Sequence, residues 1–405
     1  MRLWPLVPLG EMCRPDRIIV DTRLESSSTL PYLGLEDIES TTGRILRGPR
    51  EPVAEEGKSA TFQFDSRHVL YGKLRPYLNK VALPEHKGRC TTEIIPLLPA
   101  ANVDRAFLVW LLRRDETVSW AMHNNTGSRM PRADLDSLLA LKVPRPPLPE
   151  QRQVASVINQ EMSVTLRARH AAEDRLRAAE VLSAAFLRDV FGGPAAQRCL
   201  RVSVDELRAS GVILEHQDGN HGELHPRNKD FVEEGVRFVT AKHLGSNGHV
   251  ELDRAPFIST QQAEGLRIGF AQSSDVLLAH NASVGPVGIV ASSCEPFVVG
   301  TSLTIYRTNP EAMDPTFLLM ALRSDDFQRQ LLDAMKQTTR NQVPITRQRE
   351  LLLPFPPVAD QRSIAAYLSR RFEAAEALLW RCREELAMID AIPASLLRTA
   401  FNGDS

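Results

Sequence analysis

Cysteine is scarce: Cys13, Cys90, Cys199, Cys294 and Cys382 are odd in number and far apart, with no C-x-x-C pair. That pattern suits reduced thiols and excludes both a disulfide framework and a zinc ribbon. Net charge is equally lacking, since 49 basic residues face 50 acids. No global basic field announces a polyanionic partner, and any basic footprint has to be local. No apolar run reaches the roughly 18 residues of a membrane span, and Pro5, Pro8 and Glu11 break the start before a signal-peptide core can form. The expectation is a soluble, cytoplasmic chain with no membrane partner. Signatures of catalysis are missing too. Gly57-Lys58-Ser59 has Pro52 where a phosphate-binding loop needs glycine, and neither a Gly-x-Gly-x-x-Gly after a strand nor an Asn-Pro-Pro-aromatic sequence occurs. His216, His221 and His225, with Glu215 and Glu223, fit no ligand spacing and sit among turn-forming glycines, so no metal site is expected.

What is present is a repeat. The chain has 405 residues, 43% of them hydrophobic and 24% charged, enough for two or three ordinary globular cores. Pro146-Pro147-Leu148-Pro149-Glu150-Gln151-Arg152 returns 210 residues later as Pro356-Pro357-Val358-Ala359-Asp360-Gln361-Arg362. The same offset pairs Leu176 with Leu386, Leu187-Arg188 with Leu397-Arg398, Phe191 with Phe401 and, upstream, Phe107-Leu108 with Phe317-Leu318 and Asp115 with Asp325. His68-Val69-Leu70 matches Asp275-Val276-Leu277 at an offset of 207. The copies agree at their C-terminal ends and diverge at their N-terminal ends.

Each copy divides again. Residues 1–145 and 196–355 carry short strand-like runs such as 231–240 and 297–307, broken by turn residues, plus helices near 105–120 and 315–335; they predict α+β domains. Residues 146–195 and 356–405 each hold a long helix that begins at a proline cluster, with an acid in its first turn, and stops at Gly192-Gly193 or Asn402-Gly403. In the second helix Leu368, Phe372, Ala375, Leu379, Cys382, Leu386 and Ile389 alternate at spacings of four and three, a coiled-coil seam. The matching seam in the first is Ile158, Met162, Thr165, Arg169, Ala172, Leu176 and Ala179, weaker in its middle. Two amphipathic stripes in one chain most simply bury each other. The expected architecture is therefore α+β, with two related domains separated by an antiparallel two-helix coiled coil.

At this point the chain resembles the specificity (S) subunit of type I restriction-modification systems. The resemblance rests on the Pro-Pro-Leu-x-Glu-Gln-Arg helix entry at 146–152 and its looser copy at 356–362; on the block from Tyr71 to Val81; on Gly127-Ser128-Arg129-Met130-Pro131-Arg132; and on Tyr32 to Ile38. It implies two target recognition domains, each reading half of a bipartite sequence in double-stranded DNA. It implies conserved helices that act as a ruler and dock two methyltransferase subunits, through which restriction (translocase) subunits join. It also implies no catalysis by the chain itself: S-adenosylmethionine, ATP and magnesium belong to the partner subunits, and no cofactor is expected here. The alternative from another class is a non-catalytic coiled-coil scaffold with duplicated protein-binding domains. Gln151-Arg152 and Gln361-Arg362 suit either packing of helix on domain or a subunit contact, and Arg188 and Arg398 complement the helix dipoles.

DNA contact calls for cations against phosphates and for planar or amide groups against base edges. Residues 1–145 hold 21 basic and 18 acidic residues and residues 196–355 hold 16 and 19, so neither domain is strongly basic. Lys73, Arg75, Asn79 and Lys80 beside Tyr71 and Tyr77 form the densest basic and aromatic mixture. With the resemblance they are candidate DNA contacts, as are Ser128, Arg129 and Arg132; the plain alternatives are a solvated hairpin and a helix cap. In the second copy the equivalents are His280, Asn281 and Ser283 with Thr338, Thr339, Arg340 and Asn341. There His280-Asn281-Ala282-Ser283-Val284-Gly285 replaces the Leu-Arg-Pro-Tyr block, a departure that bears on individual contacts.

Overall fold

The computed structural model describes residues 4–20, 30–46, 60–127, 129–222, 224–336 and 341–402. The chain forms two units, residues 1–173 with 384–405 and residues 174–383. Each takes one α+β domain and one half of each long helical region.

The two domains share a topology. In the first unit a four-stranded sheet runs in the order Cys13–Pro15, Ile94–Pro99, Val69–Gly72, Val81–Ala82; in the second the order is Ile213–Asp218, Leu303–Thr308, Val276–Ala279, Val287–Ile289. Beside each lies a second sheet, of four strands in the first unit and five in the second, containing one parallel pair, Tyr32–Leu33 with Gly88–Thr91 and Val236–Val239 with Phe297–Val299. The predicted runs 231–240 and 297–307 are strand pairs broken by turns, and the predicted helices are each a pair, Arg105–Arg113 with Asp115–His123 and Pro315–Arg323 with Asp325–Lys336. An N-capping aspartate opens the first of each pair: the Asp104 carboxylate accepts from Phe107 N and that of Asp314 from Phe317 N, both at 2.9 Å. Those phenylalanines are fully buried in the two cores. Burial pushes the Cys13 thiol up to about 12, and the Cys90 thiol also rises by burial, as expected of inert core thiols.

A short antiparallel ladder closes each domain. Leu6–Pro8 pairs with Lys142–Pro144, and Arg201–Ser203 pairs with Leu352–Pro354. Immediately after it the helix entry is locked by a glutamine. Gln151 Oε1 accepts from Asp104 N at 2.8 Å while its Nε2 donates to the carbonyls of Asn102 and Pro146. Gln361 repeats all three bonds, to Asp314 N, Ala312 O and Pro356 O. Both side chains are buried, at 1% and 0% exposure, so these glutamines fasten helix to domain. Gln361→Leu orphans one backbone N–H and two carbonyls and should lower the stability of the second unit by about 2–3 kcal/mol, read from urea denaturation. Arg362→Ala, at the exposed neighbour, should shift the midpoint little.

The first helical region differs from the expectation of one continuous helix over 149–191. It consists of Leu148–Glu180 and Leu182–Gly192, interrupted at Val181, and a short turn of helix, Pro194–Gln197. The second, Val358–Asn402, is continuous and carries Pro393 inside it. Within each unit the two run antiparallel. In the first, Leu397 and Phe401 join the core that holds Ile158 and Met162, and Arg169 Nε donates to the Asp390 carboxylate at 2.8 Å. In the second, Leu187 packs with Leu368, and the Arg371 guanidinium lies over the Phe186 ring. The seam positions are buried (Ile158, Met162, Thr165, Ala172, Ala179, Leu368, Ala375, Cys382, Ile389) or half-buried (Leu176, Phe372, Leu379, Leu386). Arg169, the charged interruption of the predicted stripe, is accommodated by its ion pair with Asp390. The repeat-related Arg188 and Arg398 each face an aspartate, Asp325 at 4.0 Å and Asp115 at 3.4 Å, and so tie the helices to the domains.

Candidate nucleic-acid interface

In each domain the two segments singled out from sequence meet through the backbone. In the first unit Leu74 bridges to Arg132, Arg75 N donates to Pro131 O at 2.7 Å, and Ala133 N donates to Lys73 O at 2.9 Å. In the second, Asn281 bridges to Gln342, Ala282 N donates to Asn341 O at 2.9 Å, and Val343 N donates to His280 O at 2.8 Å. Each bridge of one unit has its counterpart in the other at the repeat offsets of 207 and 210. Arg75 and Ala282, equivalent in this scheme, both adopt left-handed backbone, with φ of 51° and 62°. A non-glycine residue there costs roughly 1–2 kcal/mol, so the same strained corner is held twice on different sequences.

Side chains at the two corners differ. In the first unit Glu93 gathers the cations: its carboxylate accepts from Arg132 Nε at 3.0 Å, pairs with Arg132 Nη2 at 2.9 Å and stands 4.0 Å from Lys73 Nζ. Asn79 and Lys80 turn inward. Asn79 Nδ2 donates to Arg113 O at 2.9 Å and Lys80 Nζ to Leu35 O at 2.6 Å, so both hold the block in shape. Arg113 itself is buried over the Trp110 ring and donates to Val81 O; burial pulls its guanidinium down to about 10. Arg75, Tyr77 and Arg129 are exposed at the corner. Ser128, Thr338, Thr339 and Arg340 lie outside the described residues.

The second unit places its candidates around a buried polar network. Asn281 is half-buried and Ser283 and Asn341 are exposed, whereas His280 is turned into the core at 6% exposure. The Thr304 hydroxyl lies 2.9 Å from His280 Nδ1 and donates to Asp218 at 3.2 Å. Gln348, fully buried, links this pair onward: Nε2 donates to Thr304 Oγ1 at 2.9 Å and to Val343 O at 3.0 Å, and Oε1 accepts from the Tyr306 hydroxyl at 2.9 Å and faces His216 Nε2 at 3.4 Å. Burial holds His280 below the usual histidine range and His216 at about 4. The sequence reading missed Gln348; its periodic surroundings carry no signal that would have found it. His221 and His225 hydrogen-bond to the carbonyls of Gly219 and Asn220, apart from His216, which packs against the Tyr306 ring.

No family model matches the chain. Among curated proteins it is 30% identical over 146 residues to the type I restriction enzyme EcoDI specificity subunit of Escherichia coli, covering 35% of this chain and 32% of that one. It is 23% identical over 177 residues to the EcoBI specificity subunit of the same organism, covering 43% and 36%. The chain thus matches about a third of the length of these two relatives. With the MjaVIII specificity subunit of Methanocaldococcus jannaschii the identity is 20% over 421 residues, covering 99% of this chain and 92% of the relative. A chain from a structure concerned with complex assembly and conformational transition of the type I R-M system superposes with a TM-score of 0.80 at 23% identity, over 100% of this chain and 99% of that one. The HsdS subunit from Thermoanaerobacter tengcongensis gives a TM-score of 0.67 at 23% identity over 100% and 98%. The likeness read from the helix-entry motif therefore extends over the whole chain, in sequence and in fold.

Proposed function

We propose that the chain is the DNA sequence-specificity subunit of a type I restriction-modification complex. The observation that carries this is the pair of matching corners, one per domain, each joining two candidate segments at a strained backbone position, in a chain whose whole length follows the specificity-subunit fold. Each domain reads one half of a bipartite duplex site. Arg75, Tyr77 and Arg129 serve the first half-site, and Asn281, Ser283 and Asn341 the second; arginine suits guanine and asparagine suits adenine in the major groove. The paired helices space the half-sites and dock two methyltransferase subunits, through which restriction subunits join. S-adenosylmethionine, ATP and magnesium act on those partners, and this chain performs no chemistry of its own. The modest charge of both domains fits a subunit that grips DNA only together with its partners.

Footprinting of the reconstituted methyltransferase complex should show two separated protected patches, with affinity falling steeply as salt rises. Arg75→Ala should weaken binding by about tenfold and alter protection in one patch only. A single continuous patch, or affinity indifferent to salt, would refute the assignment.

A further inference from the structure

The polar network around Gln348 has no counterpart in the other copy. The register of the sheets aligns Thr304 with Ile95 and Tyr306 with Leu97, and the repeat offset aligns Gln348 with Leu138. Ile95, Leu97 and Leu138 are all buried, so the first unit fills the same space with an ordinary apolar core. A core of that chemistry is the simpler solution, because each polar atom moved inside must find a partner. The second unit satisfies every hydrogen-bonding position of Gln348, and one of its four bonds runs to the carbonyl of Val343, a core residue next to the corner. Val343 follows Asn341 and Gln342 and donates to His280 O, at the base of the corner that carries Asn281 and Ser283. The first unit anchors its corner differently, through Glu93 with Arg132 and Lys73.

We propose that Gln348 is the positioning residue of the second domain. It ties the strand bridge between Asn281 and Gln342 to the central sheet through Thr304 and Tyr306, and so fixes how Asn281, Ser283 and Asn341 are presented; their role toward DNA rests on the function proposed above. The device sets the geometry of one half-site reader without touching the other, whose anchor is ionic.

Hydrogen exchange on the full chain tests it, comparing the unaltered protein with Gln348→Leu and with the triple variant T304I/Y306L/Q348L. The triple change installs the first unit's apolar trio and removes Thr304 and Tyr306, two of the four partners that Gln348→Leu alone would orphan, so that only Val343 O and His216 Nε2 lose their bond to Gln348. In both variants the amides of Ala282 and Val343 should exchange about tenfold faster, while those of Arg75 and Ala133 stay unchanged. Footprinting of the reconstituted complex should then lose protection at one half-site and keep it at the other. Amides of Ala282 and Val343 as protected in the triple variant as in the unaltered chain would overturn the inference, as would equal acceleration at Arg75 and Ala133. If the unaltered complex protects no two-part site, the proposed function fails, while the exchange comparison still decides the role of Gln348.

Discussion

Phe401→Ala should cost the first unit about 3–5 kcal/mol. The ring is 6% exposed, lies 5.3 Å from that of Phe107 and carries the Arg114 guanidinium over its face, inside the same core as Ile158 and Met162. Truncation would remove the last large side chain with which the C-terminal helix grips the domain and leave a cavity beside Phe107. Urea denaturation followed by tryptophan fluorescence is a selective readout, because Trp4, Trp110 and Trp120 belong to the first unit and only Trp380 to the second. Asp390→Ala provides the contrast. Its ion pair with Arg169 joins side chains 48% and 43% exposed, so screening leaves it worth no more than about 1 kcal/mol, and that falls with salt. A shift below 1 kcal/mol for Phe401→Ala would mean that the helix end does not belong to the first core.

Acidification should weaken the second unit selectively. His216 is 7% exposed, and burial holds its folded value at about 4 against 6.5 when unhindered. Its Nδ1 has no hydrogen-bond partner among the described residues; Nε2 faces Gln348, and Arg208, Arg349 and His280 add like charge around it. Since the folded value is the lower one, the unfolded chain takes up the proton first. Stability is complete above about pH 6.5, declines as pH falls, and has lost roughly 3 kcal/mol by about pH 4. His280, also depressed by burial, acts in the same direction. Protection factors in the strand Leu303–Thr308, each exchange rate referred to the intrinsic rate at its own pH, should fall as the pH drops from about 7 to about 4, and His216→Phe should flatten that slope. An equal acid response in Ile94–Pro99 would show the effect to be general.

The helices, their entry motif and the duplication were legible because they are written in local terms: spacing of four and three, a proline before the first turn, an offset that survives for many residues. The seam follows from that spacing, and Leu368, Ala375, Cys382 and Ile389 are buried as it requires. The interruption at Val181 leaves no comparable mark, since nothing in the residues around it breaks a helix. At the candidate site the sequence brought the right segments forward but could not orient their side chains. His280 follows the strand Val276–Ala279 directly, and the sheet turns it toward Thr304. Asn79 and Lys80 are candidate DNA contacts by residue type, yet they donate to the carbonyls of Arg113 and Leu35, brought close only by tertiary folding. Arg132, a candidate DNA contact by residue type, pairs with Glu93, which lies 39 residues away along the chain.

The ladders that close the two domains carry an evolutionary consequence. Arg145 N donates to Pro5 O at 2.9 Å, and Phe355 N donates to Leu200 O at 2.8 Å, so the chain departs from each domain next to where it arrived. A body with adjoining ends can be excised and another grafted in its place, provided that the newcomer supplies a strand at each margin and a backbone N–H and carbonyl to meet the glutamine. Recombination between relatives would then trade whole cassettes, with crossovers tolerated at 5–8 and 142–145 in one and at 200–203 and 352–355 in the other, while the scaffold inherits no change.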